Sequence, residues 1–333
     1  MSPPPELNRK MSMLLQKGML SFKPDSAYDN YFSKTFYTSK VDQIKKTAKK
    51  IGIELQREII IENSTCISPS PSARPSEGAH ILFAGPGTMA FCNYWAKGIS
   101  SLAMGISYTL KGKRAESKES VNDCFKANPA PVILCSKLAL YYGFFGTLIE
   151  YGQVNIRPSF VALRNELLDA METFIVGHEY SHFVAEENID QFRGMISSEQ
   201  ALKLEKFCDE LGFKISREYG SEKDSYLLFT GVGALTFFTM FNLCEKIREL
   251  VLSVSLNDNE KHGEVFDGKA DSHPPLIERI EELRRLLNAY TVPDQLNATV
   301  SFFDEYALIL NTLCEFILEV AEEAIIKRGL RGN

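Results

Sequence analysis

Three of the five histidines stand in two short arrangements whose residue types and spacing can do chemistry. The first is His178-Glu179-Tyr180-Ser181-His182. On a helix, residues i and i+4 lie one above the other on the same face, so both imidazoles can reach one metal ion. Glu179 sits beside them, placed to take a proton from a metal-bound water. Leu163, Leu167, Met171 and Phe174 lead into His178 and His182 at spacings of three or four, so the histidines continue a core-facing stripe. Asn165, Asp169 and Glu172 are expected on the other face.

A second segment supplies what a hydrolytic zinc site requires beyond two histidines, namely a third protein ligand and an open position for water. Glu205 follows His182 by 23 residues, and Asp209 comes one helical turn later. Ser197 with Gln200 reads as a capping-box helix start, and Ala201, Leu204, Cys208 and Leu211 form its apolar face. Glu205 can be the third ligand, and Asp209 can accept the free ring N–H of a ligating histidine. A third segment, Asp271-Ser272-His273-Pro274-Pro275, starts a helix through Arg279, Ile280, Leu283 and Leu287. His273 is placed to face the oxyanion of a tetrahedral intermediate, and Arg279, two turns along, to add to that field. Taken singly, each segment has a plainer reading: a satisfied histidine pair in a core helix, two surface carboxylates, a histidine near a helix cap.

The ordered set H-E-x-x-H, E-x-x-x-D and S-H-P-P-x-x-E-R resembles the gluzincin metallopeptidases, above all the type I CaaX prenyl protease and HtpX-like family. The resemblance covers residues 170–287, about a third of the chain. It implies a zincin-like fold and one zinc ion held by His178, His182 and Glu205. It further implies Glu179 as general base and His273 and Arg279 as groups that assist the transition state. The motif order is similar, more weakly, to Lit-type phage-exclusion peptidases.

The elements that must position these residues read as an α+β fold. A lysine-rich helix is expected over 39–56, strands over 57–63, 80–85 and 131–135, a Ser/Pro-rich linker over 68–78, and a charged loop or helix start over 111–120. From Val161 onward the pattern is helical. This divides the chain into a mixed α/β part, residues 1–157, whose role is unassigned, and a helical metallopeptidase part, residues 158–333, with a soft boundary near Gly152–Pro158.

Composition narrows the classes. A chain of 333 residues that is 44% hydrophobic and 24% charged is no disordered chain, and a net charge of −6 argues against a nucleic-acid partner. Seven singly spaced cysteines suit a reducing compartment, and the Pro-rich N-terminus does not read as a signal peptide, so a cytoplasmic location is expected. The 20 uncharged residues between Asp224 and Glu245 are long enough to cross a bilayer. A single crossing there would separate Glu205 from His273, so the stretch is read as a buried helix. Neither a G-x-S-x-G elbow nor a P-loop is present, Gly231 and Gly233 do not complete a dinucleotide fingerprint, His262 lies in a polar loop and His80 borders a strand. The expected activity is a zinc metalloendopeptidase acting on protein or peptide substrates. The alternatives are a catalytically silent zinc-stabilised interaction protein and a membrane-associated protease.

Overall fold

The structure is a computed structural model, and it describes residues 34–63, 72–75, 78–194, 196–257 and 274–329. The helices are α1 (Lys34–Lys50), α2 (Pro86–Leu110), α3 (Lys118–Ala127), α4 (Pro129–Phe145), α5 (Val161–Asn188), α6 (Ser198–Lys223), α7 (Tyr226–Phe229), α8 (Val232–Asn257), α9 (Leu276–Tyr290) and α10 (Pro293–Gly329). A small sheet of β1 (Ile59–Asn63), β2 (Ser72–Arg74) and β3 (His80–Ala84) has the order β1-β3-β2. β1 runs parallel to β3, and β2 antiparallel to it. The fold is therefore mostly helical with one small mixed sheet, compatible with the α+β class.

Helix α5 is the axis of the molecule. Nearly every residue from Leu167 to Ala185 is buried, because α2, α6 and α8 cover it on one side and α1 and the sheet on the other. Glu172, expected on a face opposite the core, is only 3% exposed for this reason. The main core gathers around Phe91, Trp95, Tyr142, Phe174 and Phe237, from α2, α4, α5 and α8, with α10 closing it. A second apolar cluster, including Ile44, Ile61, Leu82, Phe183 and Ile215, fastens α1 and the sheet to α5 and α6. Helices α2 and α4 precede the boundary expected near 152–158 and yet share one core with α5, α8 and α10.

Besides the lysine-rich helix expected over 39–56, which ends at Lys50, two segments depart from the expected elements. Residues 131–135 are helix, not strand. Pro129 stands in the first turn of α4, where no backbone N–H is required, and the helix runs until Gly146 ends it at φ 67°. Its apolar residues resemble a strand only because the helix is buried along most of its length. Within the expected linker, Ser72–Arg74 pairs with β3, a three-residue strand too short to show a period of two.

The uncharged stretch 225–244 folds as α7 and the first half of α8, joined at Gly231 with φ 73°. A Cβ on Gly233 would meet the Ala170 backbone at 2.4 Å, so α8 rests directly on α5. Among the described residues, no helix is long and apolar enough to cross a membrane. His80 has the structural role expected of it. Its ring lies on Phe183, and Nε2 meets Glu187, which also accepts from the Gln56 and Arg57 backbone and so ties the sheet to the end of α5. His262 lies outside the described residues.

Candidate metal centre

The site forms where α5 and α6 cross. A Cβ on Gly212 would come within 2.9 Å of the His178 backbone nitrogen, and one on Gly177 within 3.4 Å of Gly212 Cα. At Gly212 only glycine lets the two backbones approach this closely, while a Cβ at Gly177 would make ordinary contact. Glu205, Asp209 and Gly212 share one face of α6 at spacings of four and three, so the crossing delivers both carboxylates to His178. The start of α6 is set by its own residues: Ser197 and Gln200 make the reciprocal capping box.

Glu205 addresses both imidazoles. Its Oε2 lies 3.4 Å from His178 Nε2 and its Oε1 lies 3.7 Å from His182 Nε2. Donors on a tetrahedral zinc with bonds of about 2.0–2.2 Å are separated by roughly 3.4 Å, so this spacing suits one ion held between them. A donor atom from each of His178, Glu179 and His182 also lies within 4.8 Å of the others. Glu179 and Glu205 therefore both border the same point. They differ in their surroundings, because the Ala73 backbone of β2 lies near Glu179 and helps hold its carboxyl down. Each Glu205 oxygen faces one histidine, whereas Glu179 lies beside the pair.

Behind the ligands stands a second layer. His178 Nδ1 is 2.9 Å from Asp209 Oδ1, which turns Nε2 toward Glu205. Arg279 on α9 forks onto the same carboxylate, with Nε donating to Oδ2 at 2.7 Å and Nη2 to Oδ1 at 2.5 Å. Its guanidinium lies 3.6 Å over the Phe238 ring, and Phe238 meets Phe174 edge-on. The sequence expectation aims Arg279 at an oxyanion; the structure directs it to Asp209, because a buried carboxylate with two free lone-pair directions matches the planar fork. His273 lies outside the described residues.

The electrostatics favour a cation. Burial alone would depress His178, but the hydrogen bonds and charges of Asp209 and Glu205 carry its pKa up to about 10. Burial would raise Asp209, yet His178 and Arg279 hold it below the usual carboxylate range. Burial pushes Glu179 up to about 7, with Glu205 adding to the rise and His178 opposing it. Burial likewise pushes the Cys208 thiol up. The carboxylates hold the imidazole proton in place by themselves, and a divalent cation would take that proton's role. A buried and a half-buried imidazole, a carboxylate between them and an orienting aspartate make a donor set that fits zinc.

Sequence reasoning did not find Ala73, Phe238 or the glycine crossing. The one signal available for the crossing is that Gly177 directly precedes the first histidine and Gly212 falls on the carboxylate face of α6. No protein-family model, curated protein or solved structure matches this chain.

Proposed function

We propose that the chain is a zinc-dependent metalloendopeptidase, with His178, His182 and Glu205 holding the ion and Glu179 as general base. The observation that supports it most is the Glu205 carboxylate set between the two Nε2 atoms at donor-to-donor spacing. When bound, zinc supplies Lewis acidity that lowers the pKa of a water toward about 7 and polarises a carbonyl. Glu179, beside the ligands and near β2, accepts the proton of the attacking water and returns it to the leaving amine. Asp209 fixes the His178 tautomer, and Arg279 fixes Asp209. β2 is an edge strand whose Ala73 already reaches Glu179, so an extended peptide lying along β2 passes the base. Six free cysteines among the described residues agree with a cytoplasmic location.

The test is metal analysis of purified protein and of Glu179→Gln, together with a proteome-wide search for new termini in cells expressing each. One zinc per chain in both, with new termini only in the unsubstituted protein, supports the reading. Zinc in both without any new terminus leaves the silent, zinc-stabilised protein as the correct description.

A further inference from the structure

Far from the metal centre, α2, α5 and α10 enclose a cleft of about 330 Å³. Its walls are apolar, built from Ile99 and Ile106 of α2, Leu163 and Leu167 of α5, and Phe302 and Ile309 of α10. Its mouth is charged. Lys113 and Arg114, from the loop after α2, stand there with Glu305 of α10. The Glu305 carboxylate is already engaged: it accepts the Ala115 backbone N–H at 2.7 Å and lies 4.0 Å from Arg114. Arg114 also donates to Ser301. Among the described residues Lys113 has no ion-pair partner, and it is exposed, so the mouth carries one uncompensated positive charge.

An apolar interior with a single cation at its entrance is complementary to an amphiphile with an anionic head. The volume limits the tail. A methylene fills about as much space as a water molecule in the liquid, ~30 Å³, so the cleft takes one chain of roughly ten to twelve carbons and no second. The charge chooses the head, because a cationic group would meet Lys113 and Arg114, whereas a carboxylate pairs with Lys113 without displacing Glu305. We propose that this cleft binds a medium-chain fatty acid, its chain between α2, α5 and α10 and its carboxylate at Lys113. Leu167 precedes His178 by 11 residues, about 17 Å along α5, so such a ligand leaves the metal ligands untouched.

The experiment titrates the full-length protein with laurate below its micelle concentration, by calorimetry and by melting temperature. Dodecyltrimethylammonium serves as the cationic control of equal chain length, and butyrate as the short one. Laurate is expected to bind saturably at one site and raise the melting temperature, with the ammonium compound at least about tenfold weaker and butyrate without effect. Lys113→Glu, an exposed change that leaves the core alone, should weaken laurate about tenfold and reverse the preference for head charge. Ala103→Phe, which fills the cleft, should remove both amphiphiles with zinc content unchanged. Equal affinity for the two head charges, an unaltered laurate constant in Lys113→Glu, or no saturable binding would overturn the proposal. So would retention on anionic vesicles without binding of monomeric laurate, which would make the face a membrane contact instead.

Discussion

Helix α5 carries two buried polar clusters, two turns apart, and they solve the problem of buried charge in opposite ways. Around Glu172, the chain provides its own cations. Lys40 of α1, 5% exposed, pairs with Asp169 and reaches Thr173 Oγ1 at 3.3 Å, while Arg164 donates to Asn93 of α2 near Glu172. Two basic and two acidic side chains meet there, and burial keeps the Glu172 carboxyl protonated near neutral pH. Around His178, Glu179, Glu205 and Asp209 face a single guanidinium, Arg279. Arg279 and the proton that Asp209 and Glu205 hold on His178 offset this excess of carboxylate, and a divalent cation would take that proton's role. Burial and acidic residues alone do not mark a metal centre; the sign of the imbalance and the convergence of lone pairs do.

The largest effects should come from the unbalanced cluster. Glu179→Gln keeps the shape and the Ala73 contact but cannot take a proton, so turnover should fall by a factor of about 10³ or more with one zinc retained. Turnover close to that of the unsubstituted enzyme would remove Glu179 from the base role. His182→Ala and Glu205→Ala should each lose stoichiometric zinc and all hydrolysis. Full occupancy by atomic absorption in either variant would dismiss the ligand set.

Asp209→Asn and Arg279→Ala probe the supporting layer, and a weaker, different loss is expected. Zinc affinity should drop by about 10- to 100-fold, while the zinc-saturated variant keeps most of its kcat. An oxyanion role for Arg279 forecasts the reverse, with intact affinity and a kcat lowered by about 10²–10³. Chelator competition and zinc-saturated kinetics on the same samples separate the two.

The balanced cluster should matter for stability alone. Burial raises the Glu172 pKa to about 8, with Asp169 adding and Lys40 and Arg164 opposing; Tyr37 and Cys92 also face it. A carboxyl whose folded pKa lies above its unfolded value of about 4.3 binds more protons when folded, so its contribution falls as pH rises from about 4 to about 8. Glu172→Gln removes this penalty. Its stability should gain on the unsubstituted protein as pH increases, by on the order of a few kcal/mol at pH 8.5, read as a rising difference in melting temperature. A difference that stays constant between pH 5 and pH 8.5 would mean that Glu172 is ionised throughout.

Much of the candidate site was legible because its signals are local. An i,i+4 histidine pair, a capping box at Ser197 and a carboxylate pair one turn apart depend on helical geometry that a few residues specify. That the stretch 225–244 is helical was legible, but its break at Gly231 into α7 and α8 was not. Residues 131–135 and 72–74 were not. In the first, prolines and β-branched residues mimic a strand although they suit the first turns of a buried helix. In the second, three residues become a strand only because β3 offers an edge. Glu172 was assigned to the wrong surroundings because helical periodicity tells one face from another but does not show that every face is covered.

What the sequence determined by itself is the inventory: which side chains can ligate, which can take a proton, and the helical spacing that stacks them in pairs. What only the tertiary structure decided is convergence. Glu205 meets His178 because Gly212, one turn beyond Asp209 on α6, lets that helix touch the α5 backbone at His178. Arg279 turns to Asp209 because α9 packs where that carboxylate is buried. Glu179 reaches β2 because the sheet closes over the start of the second apolar cluster. Local spacing is encoded by bond geometry within a few residues, whereas the direction of a buried charge follows from whichever distant partner relieves its desolvation.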